Sequence, residues 1–115
     1  MQSVSDEKRQ NNRLRLAVPL RYQLRGKQVF GNTITKNIST CGVSFVSDKF
    51  IKPQTYLALE FNLLSRNISS VATVRWAGVL PHSDKYQVGL EFAEIGSEDK
   101  NYLSDFIDMR FHKAI

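Results

Sequence analysis

The sequence predicts a mainly antiparallel all-β domain, a sandwich or small barrel, finished by one α-helix. Three observations carry that expectation. Six segments alternate apolar and polar residues at period two, short turn-forming breaks separate them, and from Ser97 the apolar spacing changes to three and four. Such a run of short strands suits hairpin-connected architectures better than βαβ units. At 115 residues with 42% hydrophobic content, the chain is long enough for one core and too short for two domains.

Residues 1–12 show no sustained apolar periodicity and read as a flexible basic arm, with 13–115 as the folded domain. Leu14, Leu16, Val18, Leu20, Tyr22 and Leu24 then share one parity, while mostly polar residues such as Arg13, Arg15, Arg21 and Arg25 share the other. That is a half-buried strand. Pro19 has no N–H for a ladder, so it belongs on an edge or at a bulge. Gly26-Lys27 predicts a hairpin turn into a second strand over 28–36. Residues 37–42 read as a polar turn and 43–46 as a short strand. In 55–64, Leu57, Leu59, Phe61 and Leu63 line one face; 68–76 form the next strand and 77–84 a connection. Tyr86, Val88, Leu90 and Phe92 mark the sixth strand. In the tail, Ser97 suits an N-cap, Glu98 and Asp99 suit the positive end of the helix dipole, and Arg110 and Lys113 suit the negative end.

The formal net charge is +5. Lys8, Arg9, Arg13, Arg15, Arg21, Arg25 and Lys27, against Asp6 and Glu7, place the whole excess in residues 1–30 and leave the remainder neutral by count. A concentrated run suggests a basic arm or local anion site rather than the broad face of a duplex-coating protein. The expected partner is anionic, and duplex nucleic acid is not expected. No apolar run approaches the roughly 18 residues of a membrane span, and the N-terminus lacks a signal-peptide core, so a cytoplasmic protein without membrane insertion is expected. The single Cys41 cannot form an internal disulfide, and with the distant His82 and His112 it makes no zinc ligand set, so neither metal nor cofactor is expected. No Ser-His-Asp or Cys-His arrangement, phosphate-cradling Gly-rich loop or paired carboxylates stand out, which argues against an enzyme.

Two segments stand out together. Arg9-Gln10-Asn11-Asn12-Arg13 spaces two guanidinium groups four residues apart, and Asn37-Ile38-Ser39-Thr40-Cys41-Gly42 follows 24 residues after Arg13. This pairing of RxxxR with NxSxxG resembles the signature of the PilZ domain family, bacterial receptors for cyclic di-GMP. Val74-Arg75-Trp76 and Tyr86-Gln87-Val88-Gly89-Leu90-Glu91-Phe92 are similar to the later part of such domains. The resemblance covers about residues 7–110. It implies a six-stranded antiparallel β-barrel of PilZ type with a C-terminal helix, a ligand rather than a cofactor, and a single-domain receptor that relays its signal to an unidentified effector protein.

Under that resemblance the site residues are Lys8, Arg9, Arg13, Asn37, Ser39 and Gly42. Arginine can fork onto a phosphate or onto guanine O6 and N7, or stack on a purine; lysine offers only a point charge. Arg9 on the arm suits a clasp and Arg13 a fixed contact, with the opposite division left open. Asn37 can accept from guanine N1–H and N2–H2, and Ser39 can bond a phosphate or base edge, although both could equally belong to a self-satisfying turn. Gly42 permits a tight turn and close backbone approach. A basic residue at the Lys8 position implies one or two cyclic di-GMP molecules per site. Trp76 reads as core or barrel rim, with contact to a guanine the alternative. Two other functions stay in view: a PilZ-like adaptor that binds no nucleotide, and a small barrel for single-stranded nucleic acid. Downstream pathway and oligomeric state do not follow from the sequence.

Overall fold

The structure, a computed structural model, describes residues 13–112. It comprises strands β1 (Leu14–Arg15), β2 (Pro19–Leu24), β3 (Phe30–Ile38), β4 (Gly42–Ser47), β5 (Tyr56–Leu63), β6 (Arg66–Val79) and β7 (Tyr86–Ile95), then helix α1 (Ser97–His112). The expectations placed on residues 1–12, Lys8 and Arg9 among them, lie outside the described residues. All neighbours pair antiparallel in the order β3, β2, β5, β6, β7, β4, and a β4–β3 pairing returns to the start. Six strands therefore close a barrel, as the resemblance implied, and the seventh, β1, is a short piece beside β3.

That short piece corrects the reading of 14–24 as one strand. The Thr35 side chain replaces part of the ladder: its hydroxyl accepts a bond from the Val18 N–H at 3.0 Å and donates to the Leu16 carbonyl at 2.6 Å. A backbone group of β3 would have served the same two partners in an unbroken pair. Parity survives the interruption, with Val18 and Leu20 buried and Arg15, Pro19 and Arg21 exposed. Pro19 sits beside the break and pairs with Ile34 of β3, whereas the β2–β5 register begins at Leu20. An imide nitrogen is tolerated there because no second ladder needs its proton.

The β5 alternation holds without exception: Leu57, Leu59, Phe61 and Leu63 are buried, and the residues between them face solvent. Phe45 of β4 and Phe61 are among the largest fully buried side chains, each contributing about 1.5–3 kcal/mol by leaving water. Strand boundaries shift by a few residues from expectation, and two of the shifts bear on the site. β3 reaches Ile38 because Asn37 and Ile38 pair with both β1 and β4. β6 continues through Val79 because Ala77, Gly78 and Val79 pair with Val88, Gln87 and Tyr86, so the expected connection at 77–84 shrinks to a hairpin around 80–85.

Helix α1 packs Leu103, Phe106 and Ile107 into the same core cluster as the strands. Its first internal bond runs from the Lys100 N–H to the Gly96 carbonyl, which puts Gly96 rather than Ser97 in the capping position. Its first turn is tied to the β5–β6 end of the barrel. Asp99 accepts from Arg66 Nε at 2.8 Å and from the Ser69 N–H, and the Tyr102 hydroxyl donates to the Leu63 carbonyl at 2.8 Å. These bonds fix the angle at which the helix leaves β7. Among the described residues, no helix is long and apolar enough to cross a membrane.

Candidate functional site

β3 ends at Ile38 and β4 begins at Gly42, so only Ser39, Thr40 and Cys41 turn the chain. The turn is shorter than the 37–42 expected from the sequence. The Ser39 N–H donates to the Gly42 carbonyl at 2.9 Å, and the Ser39 hydroxyl accepts from the Cys41 and Gly42 N–H groups at 3.1 and 3.2 Å. Ser39 is buried, and its oxygen is occupied in closing this turn. Asn37 lies on β3, between Arg15 of β1 and Ser44 of β4. The turn thus sets the spacing between Asn37 and the start of β4 without itself being the polar surface.

Gly42 is a packing requirement. A Cβ at this position would lie 1.8 Å from the Leu90 carbonyl oxygen and 3.0 Å from Glu91 Cα, both backbone atoms of β7. No rotamer relieves that contact. Its backbone can approach β7 so closely only because glycine carries no side chain.

Across the same strand, a bulge shapes the opposite wall. The β6–β7 register passes from Val74↔Leu90 to Trp76↔Gly89, leaving Arg75 as the extra residue. After buried Val74, Arg75 and Trp76 are consecutively exposed. The indole lies against Gly89: a Cβ there would fall 2.1 Å from Trp76 Cε2. Trp76 remains 41% exposed, which leaves ring surface for contact with a ligand. Arg75 Nε donates to Glu91 Oε1 at 2.7 Å. As an exposed pair it adds little stability, but it uses only one of the five N–H donors of the guanidinium and holds the rest at the rim.

Arg13, Asn37, Ser39 and Gly42 meet Ser44, Arg75, Trp76 and Glu91 around one cleft of about 260 Å³. Four of the six expected site residues are therefore brought together; Lys8 and Arg9 lie outside the described residues. Two guanidinium groups against one carboxylate make the cleft cationic. Ser44 is 3% exposed, and its hydroxyl has no hydrogen-bond partner among the described residues. A buried hydroxyl in that state costs free energy that a polar ligand atom would recover. Chemically, the cleft offers an anion contact at Arg13, an amide at Asn37 and an aromatic surface at Trp76.

Sequence reasoning missed Ser44 and Glu91 and gave Arg75 no part in the site. The bulge that turns Arg75 outward beside Trp76 leaves no trace in the alternation. One signal was present: Gly89, isolated inside an alternating strand, marks a site of close approach.

A family model described as PilZ domain matches residues 7–109. The structure superposes on the Bacillus subtilis inhibitor of motility (MotI/DgrA) with a TM-score of 0.78 and 26% identity, over 88% of this chain and 50% of that one. The PilZ domain of YcgR from Escherichia coli, solved with c-di-GMP, gives a TM-score of 0.69 at 11% identity, over 93% and 94%. The K. pneumonia MrkH–c-di-GMP complex gives 0.74 at 15%, over 90% and 52%. An uncharacterised protein of Aquifex aeolicus (strain VF5) is 24% identical over 104 residues, 90% of this chain. The chain spans 50% of the length of that relative and of the motility inhibitor.

Proposed function

The chain belongs to the PilZ domain family, and on that premise we propose that it is a cyclic di-GMP receptor that relays ligand occupancy to a partner protein. One observation carries this reading: Arg13 and the Asn37–Gly42 motif, 24 residues apart in sequence, converge on a single cationic cleft with an exposed indole. The ligand presents two phosphates and two guanines. Arg13 forks onto a phosphate or a guanine edge, the Asn37 amide oxygen accepts from a guanine, and Trp76 offers a ring for stacking. The Ser39 turn acts by positioning Asn37 and Gly42. Arg9 and Lys8, just before Arg13 in the sequence, add cations to this set, and Lys8 admits one or two ligand molecules per site. Nothing in this set performs bond-breaking chemistry, so the role is recognition. Family membership and the relatives solved with c-di-GMP support the choice of ligand.

Isothermal titration of the full chain with cyclic di-GMP is expected to give a dissociation constant of about 1 μM or tighter, as several charge-assisted contacts would. The fitted stoichiometry separates one bound molecule from two. No heat at several temperatures, with circular dichroism showing an intact barrel, would overturn the proposal. A single-stranded oligonucleotide titrated in parallel, with a steep salt dependence, would mark a nucleic-acid binder instead.

A further inference from the structure

A concavity larger than the motif cleft lies elsewhere on the barrel. The β2–β3 hairpin and the segment 48–55 enclose a groove of about 1130 Å³. Among the described residues ten large hydrophobic side chains are exposed, and five of them line this groove: Val29, Phe30, Ile34, Phe50 and Tyr56, each 42–56% exposed. Single exposed apolar residues need no explanation, but half of them gathered in one concavity mark an interaction surface.

Charge is sorted onto the same surface. Arg25, Lys27, Lys36, Lys49, Lys52 and Lys85 line the groove against one carboxylate, Asp48. Asp48 is already bonded to Lys85, and that contact lowers its pKa from the ordinary aspartate value. None of the other five cations forms a salt bridge with a groove-lining carboxylate, although Lys49 adds its charge to that of Lys85 in lowering the Asp48 pKa. An apolar floor with a cationic rim complements a segment carrying apolar anchors and carboxylates.

We propose that this groove docks an acidic segment of a partner protein, with aliphatic or aromatic anchors seated between Phe30, Phe50 and Tyr56. A protein segment fits better than single-stranded nucleic acid because the rings are partly spoken for. The Arg21 guanidinium sits 4.6 Å from the Phe30 ring centroid, Arg25 sits 5.8 Å from that of Tyr56, and Phe50 packs edge-on against Tyr86. Base stacking needs open ring faces, whereas aliphatic anchors also use Val29 and Ile34. The proposal rests on the relay reading only for its place in signalling; the groove chemistry stands without the nucleotide.

The probe is a random peptide library displayed on phage and selected on the full chain, followed by fluorescence anisotropy of an enriched peptide. Enrichment of Asp and Glu interleaved with Leu, Ile or Phe is expected, with affinity falling as salt rises. Phe50→Ser, and separately Lys49→Glu combined with Lys52→Glu, should each weaken the peptide roughly tenfold or more, as loss of an interface anchor or rim charges does. Both variants should still titrate with cyclic di-GMP as wild type does, and Arg13→Ala should still bind the peptide without nucleotide. Failure of the groove and failure of the nucleotide site are thereby read separately. No enrichment, enrichment of neutral or basic peptides, or indifference to both variants would overturn the proposal. So would displacement of the peptide by an oligouridylate, which gives the groove to nucleic acid, or a concentration-dependent dimer abolished by Phe50→Ser, which gives it to a second copy.

Discussion

Arg13→Ala is expected to weaken cyclic di-GMP binding roughly a hundredfold while leaving the melting temperature within about 2 °C of wild type. Arg13 is exposed at the entrance to β1 and forms no ion pair with another described residue, so the fold loses little when it goes. The bound state loses a guanidinium in a cleft where, among the described residues, the other cation, Arg75, is already bonded to Glu91. Arg13→Lys separates charge from geometry: a point charge restores part of the attraction but not the planar fork, so recovery should be partial. Calorimetry on the three proteins, with thermal melts of each, decides the matter. Unchanged affinity in Arg13→Ala would remove Arg13 from the site.

Gly42→Ala is expected to act on the fold before any ligand is added. The new Cβ would meet the backbone of Leu90 and Glu91, so β4 and β7 must separate along a pairing that runs from Gly42↔Glu91 to Ser47↔Tyr86. Overpacking against atoms that cannot rotate away costs about 3 kcal/mol, a fall of roughly 10–20 °C in melting temperature for a domain of this size. Gly78→Ala is the matched control, because nothing lies within 4 Å of a Cβ there and the backbone conformation is ordinary. If Gly42 served only to admit a ligand, the ligand-free melt of Gly42→Ala would match wild type and only the titration would change. A glycine that belongs to a binding signature would then be separable from one that holds two strands together.

The inside of this barrel was more legible in the sequence than its outside. Strict alternation in β5 names four core residues because burial on one face selects the same chemistry at every second position. Even where Thr35 interrupts the first strand, the parity from Val18 to Arg21 is unbroken, because a missing ladder bond does not rotate the pleat. The bulge at Arg75 does change which side chains face outward, and nothing local encodes it, so Trp76 and Arg75 could not be placed together. Charge was obscured for another reason. Residues 31–115 are neutral by count, yet Lys36, Lys49, Lys52 and Lys85 from that stretch join Arg25 and Lys27 at one groove, while Glu98 and Asp99 meet Arg66 at the helix. Summing along the chain averages over faces that only folding separates. The motif cleft was legible in part, since order and spacing pointed to Arg13 and Asn37, whereas the choice of the Ser39 hydroxyl between its own turn and a ligand is made only by the folded geometry.

Trp76 is the only tryptophan of the chain, and its ring rests on Gly89 at the mouth of the cleft. Indole emission from this protein therefore has one address. Its colour and intensity follow the solvent around a single ring rather than an average over several, and one face of that ring is set against Gly89. The molecule carries a built-in optical gauge of its own cleft, readable without a label.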